Sequence, residues 1–238
     1  MGEDSAGRVH YVDEGQGRPL VLLHGNPTWS FLYRDLIQAL RGDFRCVALD
    51  YPGFGLSDRP VIYGYTPAEH AAVVGEVVEQ LDLHGMIVMG HDWGGPIGLS
   101  VAAARAERVS GLVLGNTWFW PSELRARMFS AVMSSRPMQR AMVERNFFVD
   151  RLIPSGVVRT LSDDEMEHYR GVQARPEDRR GVAELPRQIV TPLRGWPGSK
   201  APFTPVWATS RCWSPGPCAT SPFRPSAHFL ACAPPSGT

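Results

Sequence analysis

The chain of 238 residues has no excess of charge, because 24 basic and 24 acidic side chains cancel. No overall field therefore draws it to nucleic acid or to an anionic membrane surface, and a small neutral molecule is the expected partner. No apolar run reaches the roughly 20 residues that span a bilayer. The opening Met1-Gly2-Glu3-Asp4 has neither the basic nor the apolar region of a signal peptide, so the expectation is a cytoplasmic protein with no membrane partner. Cysteine is scarce. Cys46 stands alone in an apolar run, and Cys212, Cys218 and Cys232 fall near the end of the chain, so no spacing defines a disulfide framework. No Asp or Glu follows Val190, whereas ten of the 21 prolines do. A stretch so short of backbone donors is expected to form neither strands nor helices.

Before Val190 the pattern is regular. Arg8 to Glu14 reads as a short strand, and the turn cluster Gly15-Gln16-Gly17-Arg18-Pro19 leads into Leu20-Val21-Leu22-Leu23, an apolar run suited to a buried strand. Helical spacing from Phe31 to Leu40, followed by Cys46-Val47-Ala48-Leu49, completes a βαβ unit. Thr66-Pro67-Ala68-Glu69 supplies an N-cap, a proline at the first helical position and a capping-box glutamate. Val73, Val74, Val77, Val78 and Leu81 form the apolar face of that helix. The strand Met86 to Met89, a helix from Gly95 to Ala104 and the strand Leu112 to Leu114 continue the alternation. Strands alternating with helices predict an α/β protein with a mostly parallel sheet covered on both faces. The expected division is a core over 1–117, a helical lid over 118–190 and an irregular Pro-rich tail over 191–238.

Gly90-His91-Asp92-Trp93-Gly94 lies between an apolar strand and a helix. That is the context of a nucleophile elbow, in which two glycines permit a strained turn that presents the middle side chain to a pocket. Aspartate stands where serine is usual. A carboxylate attacks an sp3 carbon and yields an alkyl ester, whereas serine serves acyl transfer, so the residue type sets the reaction class. The plainer reading of Asp92 is an N-cap for the next helix; two glycines in register weigh against it. His24-Gly25-Asn26-Pro27 follows the first buried strand, where this fold places one oxyanion-hole N–H, the other coming from the residue after the nucleophile. Asn26 and Trp93 each carry a neutral donor. Alone, Asn26 reads as a turn residue before proline and Trp93 as core packing; beside Asp92 they read as an anion site.

His24 to Arg34 (HGNPTWSFLYR), Asp50 to Asp58 (DYPGFGLSD), Gly90 to Gly95 (GHDWGG) and Asn116 to Pro121 (NTWFWP) together resemble the successive motifs of haloalkane dehalogenases, and the match runs from about His10 to Val190. The resemblance implies an α/β-hydrolase fold with an inserted helical lid. It makes Asp92 the nucleophile and Asn26 with Trp93 the halide-stabilising pair. It implies a small halogenated substrate, halide and water as partners, and no metal or organic cofactor, since nucleophile, anion site and water suffice. Epoxide hydrolases share the aspartate and the His-Gly-x-Pro motif, which keeps an epoxide substrate open as the alternative. Their alkoxide is met by lid tyrosines, and Tyr169 is the only tyrosine between 118 and 190.

The chain departs from that family after Val190. The family's last strands carry an acid and a catalytic histidine, and here the only later histidine is His228, in His228-Phe229-Leu230 without the usual acidic continuation. The catalytic base and acid are therefore unassigned. A changed reading frame after Val190 accounts for the loss of acids and the surge of Pro, Trp and Cys. One shifted reading of Cys218 to Phe223 spells Val-Arg-Asp-Val-Ala-Phe. The expected consequences are missing C-terminal strands, an unpaired sheet edge and, as a third reading, an inactive, unstable remnant. His10, His70, His84 and His168 are expected at the surface or in the lid, and His24 as a scaffold residue.

Overall fold

The computed structural model describes residues 7–118 and 123–190, together with the backbone of 212–213 and 230–232. Strand β1 (Tyr11–Glu14) lies antiparallel to β3 (Phe44–Leu49), which pairs in parallel with β2 (Arg18–Leu23). On the other side of β2 lie β4 (Met86–His91) and β5 (Val109–Gly115), again in parallel. Leu22, Leu23, Cys46, Val47, Ala48 and Leu49 are at most 1% exposed, as unbroken apolar strands covered on both faces must be.

The crossovers are helices, and local chemistry explains their bounds. The helix expected over Phe31 to Leu40 divides into a 3-10 turn (Ser30–Tyr33) and α1 (Arg34–Leu40). The division follows from tertiary bonds: the Ser30 N–H donates to the buried Asp50 carboxylate at 2.7 Å and the Tyr33 hydroxyl to the Leu23 carbonyl at 2.7 Å. Helix α2 (Pro67–Gln80) starts as the sequence requires, with Thr66 accepting from the Glu69 N–H and Glu69 from that of Thr66. Val73, Val74, Val77 and Val78 are buried, as expected. Helix α3 (Gly94–Ala104) follows β4, and Gly94 is obligatory there: an added Cβ would stand 1.9 Å from the Leu23 carbonyl oxygen.

After β5 the chain forms the short helices α4 (Leu124–Met133), α5 (Arg136–Arg145), α6 (Ile153–Gly156), α7 (Asp163–Gly171) and α8 (Arg180–Gln188). A π-helical turn (Phe148–Leu152) precedes α6. No strand interrupts them among the described residues, which agrees with a helical lid.

Two expectations are corrected. The tail does contribute strands: β7 (Leu230–Cys232) pairs antiparallel with Leu112, Val113 and Leu114, and β6 (Cys212–Trp213) pairs with β7. Proline density does not forbid pairing where a run such as Leu230-Ala231-Cys232 contains none. The edge of β5 is thus covered over three residues, by antiparallel rather than parallel neighbours. Phe119, Trp120, Pro121, Cys218 and His228 lie outside the described residues. The second correction concerns His70, which is not at the surface. It is fully buried on α2, with the Tyr63 hydroxyl 3.1 Å from Nδ1 and its ring stacked 4.9 Å from that of Tyr51. Helical periodicity placed it beside Val73 and Val74, and an imidazole flanked by tyrosines can be buried when one nitrogen is satisfied.

Candidate active site

The chain passes from β2 to β3 on one side and returns to β4 on the other, so the strand order reverses between β2 and β4. In open α/β sheets the crevice beyond the strand ends at such a point receives ligands. The loop after β2 and the turn after β4 meet there.

Asp92 sits at φ +51°, a left-handed conformation that costs a non-glycine residue roughly 1–2 kcal/mol. Its backbone is held in place. The Asp92 N–H donates to the Asn116 carbonyl at 3.2 Å, and the Asp92 carbonyl accepts from the Thr117 hydroxyl at 2.6 Å and from the Gly95 N–H at 3.1 Å. The side chain is thereby turned toward Gly25, where an added Cβ would stand 2.4 Å from an Asp92 carboxylate oxygen. Glycine at 25 is what lets the two loops close.

The Asn26 N–H donates to Asp92 Oδ1 at 2.8 Å. With the Trp93 N–H it favours the ionised carboxylate, as does the neighbouring His91. Burial acts more strongly in the other direction, so the Asp92 carboxyl lies above its ordinary value of 3.8.

The pocket is a cavity of about 1000 Å³ between the strand ends and the lid, lined by Asn26, His91, Asp92, Trp93 and Trp118 on the core side. Phe148, Leu152, Ile153 and Leu161 line it from the lid, while Arg34, Asp35, Glu123, Arg125 and Arg159 contribute charged groups. The three residues singled out in the sequence are therefore brought together. Asn26 differs in detail from its expected role: its side-chain Nδ2 donates to the Val182 carbonyl of α8 at 3.0 Å, and Oδ1 is buried without a partner among the described residues. One amide hydrogen is engaged with the lid; the other is not. Trp93 lies edge-on to Trp118, with ring centroids 4.9 Å apart. In the sequence Trp118 stands within the Asn116 to Pro121 motif with no site role; its place directly after β5 (Val109–Gly115) is the signal that marks it.

The histidines separate by their partners. His24 is fully buried: Nδ1 lies 2.9 Å from the Gly25 carbonyl, Nε2 accepts from the Tyr51 N–H at 3.3 Å, and burial lowers its pKa to about 4. It is the scaffold residue expected. His10 is half-buried against Asp50 at 2.7 Å, His84 is exposed beside Asp82, and His168 packs on Phe31 in the lid. Among the described residues His91 alone of the histidines lines the cavity, and its Nδ1 is buried without a partner. No group of three or more His, Cys, Asp or Glu suited to a metal ion occurs among the described residues, and no described helix is long and apolar enough to cross a membrane.

A family model for the alpha/beta hydrolase fold matches residues 18–146. The chain is 60% identical over 189 residues to haloalkane dehalogenase 2 of Mycobacterium tuberculosis, which covers 79% of this chain and 66% of that protein. It is 34% identical over 202 residues to a haloalkane dehalogenase of Mesorhizobium japonicum, covering 81% and 64%. Among solved structures, the haloalkane dehalogenase DbeA from Bradyrhizobium elkani superposes with a TM-score of 0.70 at 27% identity, over 76% of this chain and 66% of that one. The chain spans just under two thirds of the length of these relatives.

Proposed function

The chain belongs to the α/β-hydrolase fold family, and its relatives there are haloalkane dehalogenases; from that premise we propose that it is a hydrolase acting on carbon–halogen bonds through an aspartyl alkyl ester. The observation that carries this reading is Asp92, held at φ +51° on the wall of a largely apolar cavity with a backbone N–H 2.8 Å from its carboxylate. In the first step a carboxylate oxygen of Asp92 attacks the carbon bearing the halogen. The C–O bond forms, the C–X bond breaks, and its electron pair leaves as halide. Neutral donors suit that anion, because a full positive charge beside Asp92 would weaken its nucleophilicity; Asn26 and Trp93 are the residues for this task. The small haloalkane, the halide and water are the partners, the cytoplasm is the setting, and the division into core, lid and tail at 117/118 and 190/191 belongs to the same reading.

The second step adds water to the ester carbonyl and requires a base to take its proton, help that usually contributes about 100- to 10,000-fold. No histidine hydrogen-bonded to a carboxylate lines the cavity among the described residues, and no acid follows Val190. The chain is therefore proposed to complete alkylation and to stop at the ester. Incubation with 1,2-dibromoethane should release one bromide per protein and leave a stable mass adduct on the peptide containing Asp92, absent in Asp92→Asn. Multiple turnover would overturn the restriction to one half-reaction. Absence of both adduct and halide release would overturn the dehalogenase reading and leave the inactive remnant. Among the described residues Tyr169 is the only tyrosine lining the cavity; diol formation from styrene oxide in place of halide release would favour the epoxide alternative.

A further inference from the structure

The loop that carries the Asn26 N–H to Asp92 is fastened from outside the core, by a lid segment that is neither helix nor strand. Val172, Gln173 and Ala174 follow α7, and side-chain guanidinium groups bond all three of their carbonyls. Arg59, from the loop after β3, donates to Val172, while Arg179 donates through Nε to Gln173 at 2.8 Å and through a terminal nitrogen to Ala174 at 2.7 Å. A third Arg179 donor reaches the Val143 carbonyl on α5 at 2.7 Å. Arg179 is 7% exposed, and burying a guanidinium is costly enough that it needs acceptors, which these three carbonyls provide, one for each nitrogen. The bracket holds the backbone of Gln173 on both sides.

Gln173 is 1% exposed, and its Nε2 donates to the Pro27 carbonyl at 3.0 Å. Its Oε1 has no partner among the described residues. The amide is thus buried for the sake of one bond, and that bond holds the residue next to Asn26. The Asn26 side chain makes the reciprocal attachment, to Val182 of α8. Two ties across the core–lid boundary hold a two-residue stretch whose N–H must meet Asp92 within a few tenths of an ångström to stabilise developing charge.

We infer that Gln173 is a positioning residue: by holding the Pro27 carbonyl it sets the Asn26 N–H on the Asp92 carboxylate, without touching the reacting atoms itself. What the loop does for a substrate rests on the function proposed above, but the placement of the loop does not. The two are separated by measuring both hydrogen exchange and alkylation. Gln173→Met keeps the length and removes the donor. Exchange of the peptide from His24 to Ser30 should become at least about tenfold faster, while the β4 peptide from Met86 to Met89 keeps the parent's protection. The alkylation rate constant should fall with the half-saturating haloalkane concentration unchanged. Gln173→Asn keeps the amide but withdraws it by one methylene, so it should give the same pattern and decides the matter if the methionine variant does not fold. Parent-like protection of residues 24–30, or a loss spread equally over β4, would overturn the inference. A parent that forms no adduct would overturn the proposed function, and the exchange arm would still decide the role of Gln173.

Discussion

The two walls of the cavity are built on different principles. On the core side, Asp92, the Asn26 N–H and the Trp93 N–H are placed by backbone: parallel strand ends, a left-handed residue and glycines that let loops approach. On the lid side, short helices are joined by side-chain bonds to carbonyls, such as those of Arg179, Gln173 and Ser130, the last donating to the Pro186 carbonyl at 2.7 Å. Backbone ladders share load among many equal bonds, so one truncation on the core wall should alter chemistry more than stability. A single buried guanidinium that serves three carbonyls has no such redundancy, and the lid wall should respond in the opposite sense.

The largest effect expected on this comparison is Trp93→Phe, which removes an indole donor but keeps the aromatic packing against Trp118. Loss of one preorganised donor where charge develops lowers rates by about 100- to 1,000-fold, so alkylation measured in single turnover should slow by that order while the melting temperature stays close to the parent's. A melting temperature that falls with the rate would show that the core wall is as dependent on side chains as the lid. Arg179→Met tests the other wall. It orphans three carbonyls at about 1–3 kcal/mol each, so urea denaturation should show a loss of about 3 kcal/mol or more, with exchange accelerating in α5, α7 and α8 and remaining slow in β4. Equal loosening of both walls would erase the distinction.

A smaller effect sharpens the picture of the core. Burial lowers His24 to about 4 and His70 to about 3 from the ordinary 6.5. The groups packed around them are the Tyr51, Phe54 and Tyr63 rings and the Gly25 carbonyl, with Asp50 and His91 acting at longer range on His24. The unfolded chain binds a proton at each site below 6.5 that the folded chain refuses. Stability is therefore fully present above pH 6.5 and declines as pH falls, each imidazole contributing up to about 1.4 kcal/mol per pH unit until its folded value is reached. His70→Phe should reduce the slope measured between pH 6 and 4.5 by about half. An unchanged slope would move the acid sensitivity to carboxylates held below their ordinary value in the fold, such as Asp178; the raised Asp92 acts on stability in the opposite sense and shifts the acid limb of alkylation upward.

Much of the core wall was readable because its signals are local. Two glycines around Asp92 and an apolar strand before it already imply the turn, since only such residues tolerate that geometry, and Thr66 with Glu69 marks the start of α2 without any tertiary help. The burial of His70 was not readable, because helical spacing identifies a face but not whether tyrosines on other segments will satisfy an imidazole there. Pairing of Leu230 to Cys232 with β5 was missed for a related reason: proline count describes a whole segment, and three residues suffice for a ladder.

What the sequence determined by itself was the α/β alternation, the elbow with Asp92 and the loop with Asn26, all set within a few residues by backbone sterics and by hydrophobic runs. Only the tertiary structure decided where the Asn26 amide points, which histidine faces the cavity and what Gln173 holds. Those depend on carbonyls supplied by segments more than a hundred residues away for Asn26 and Gln173, and local spacing does not encode them.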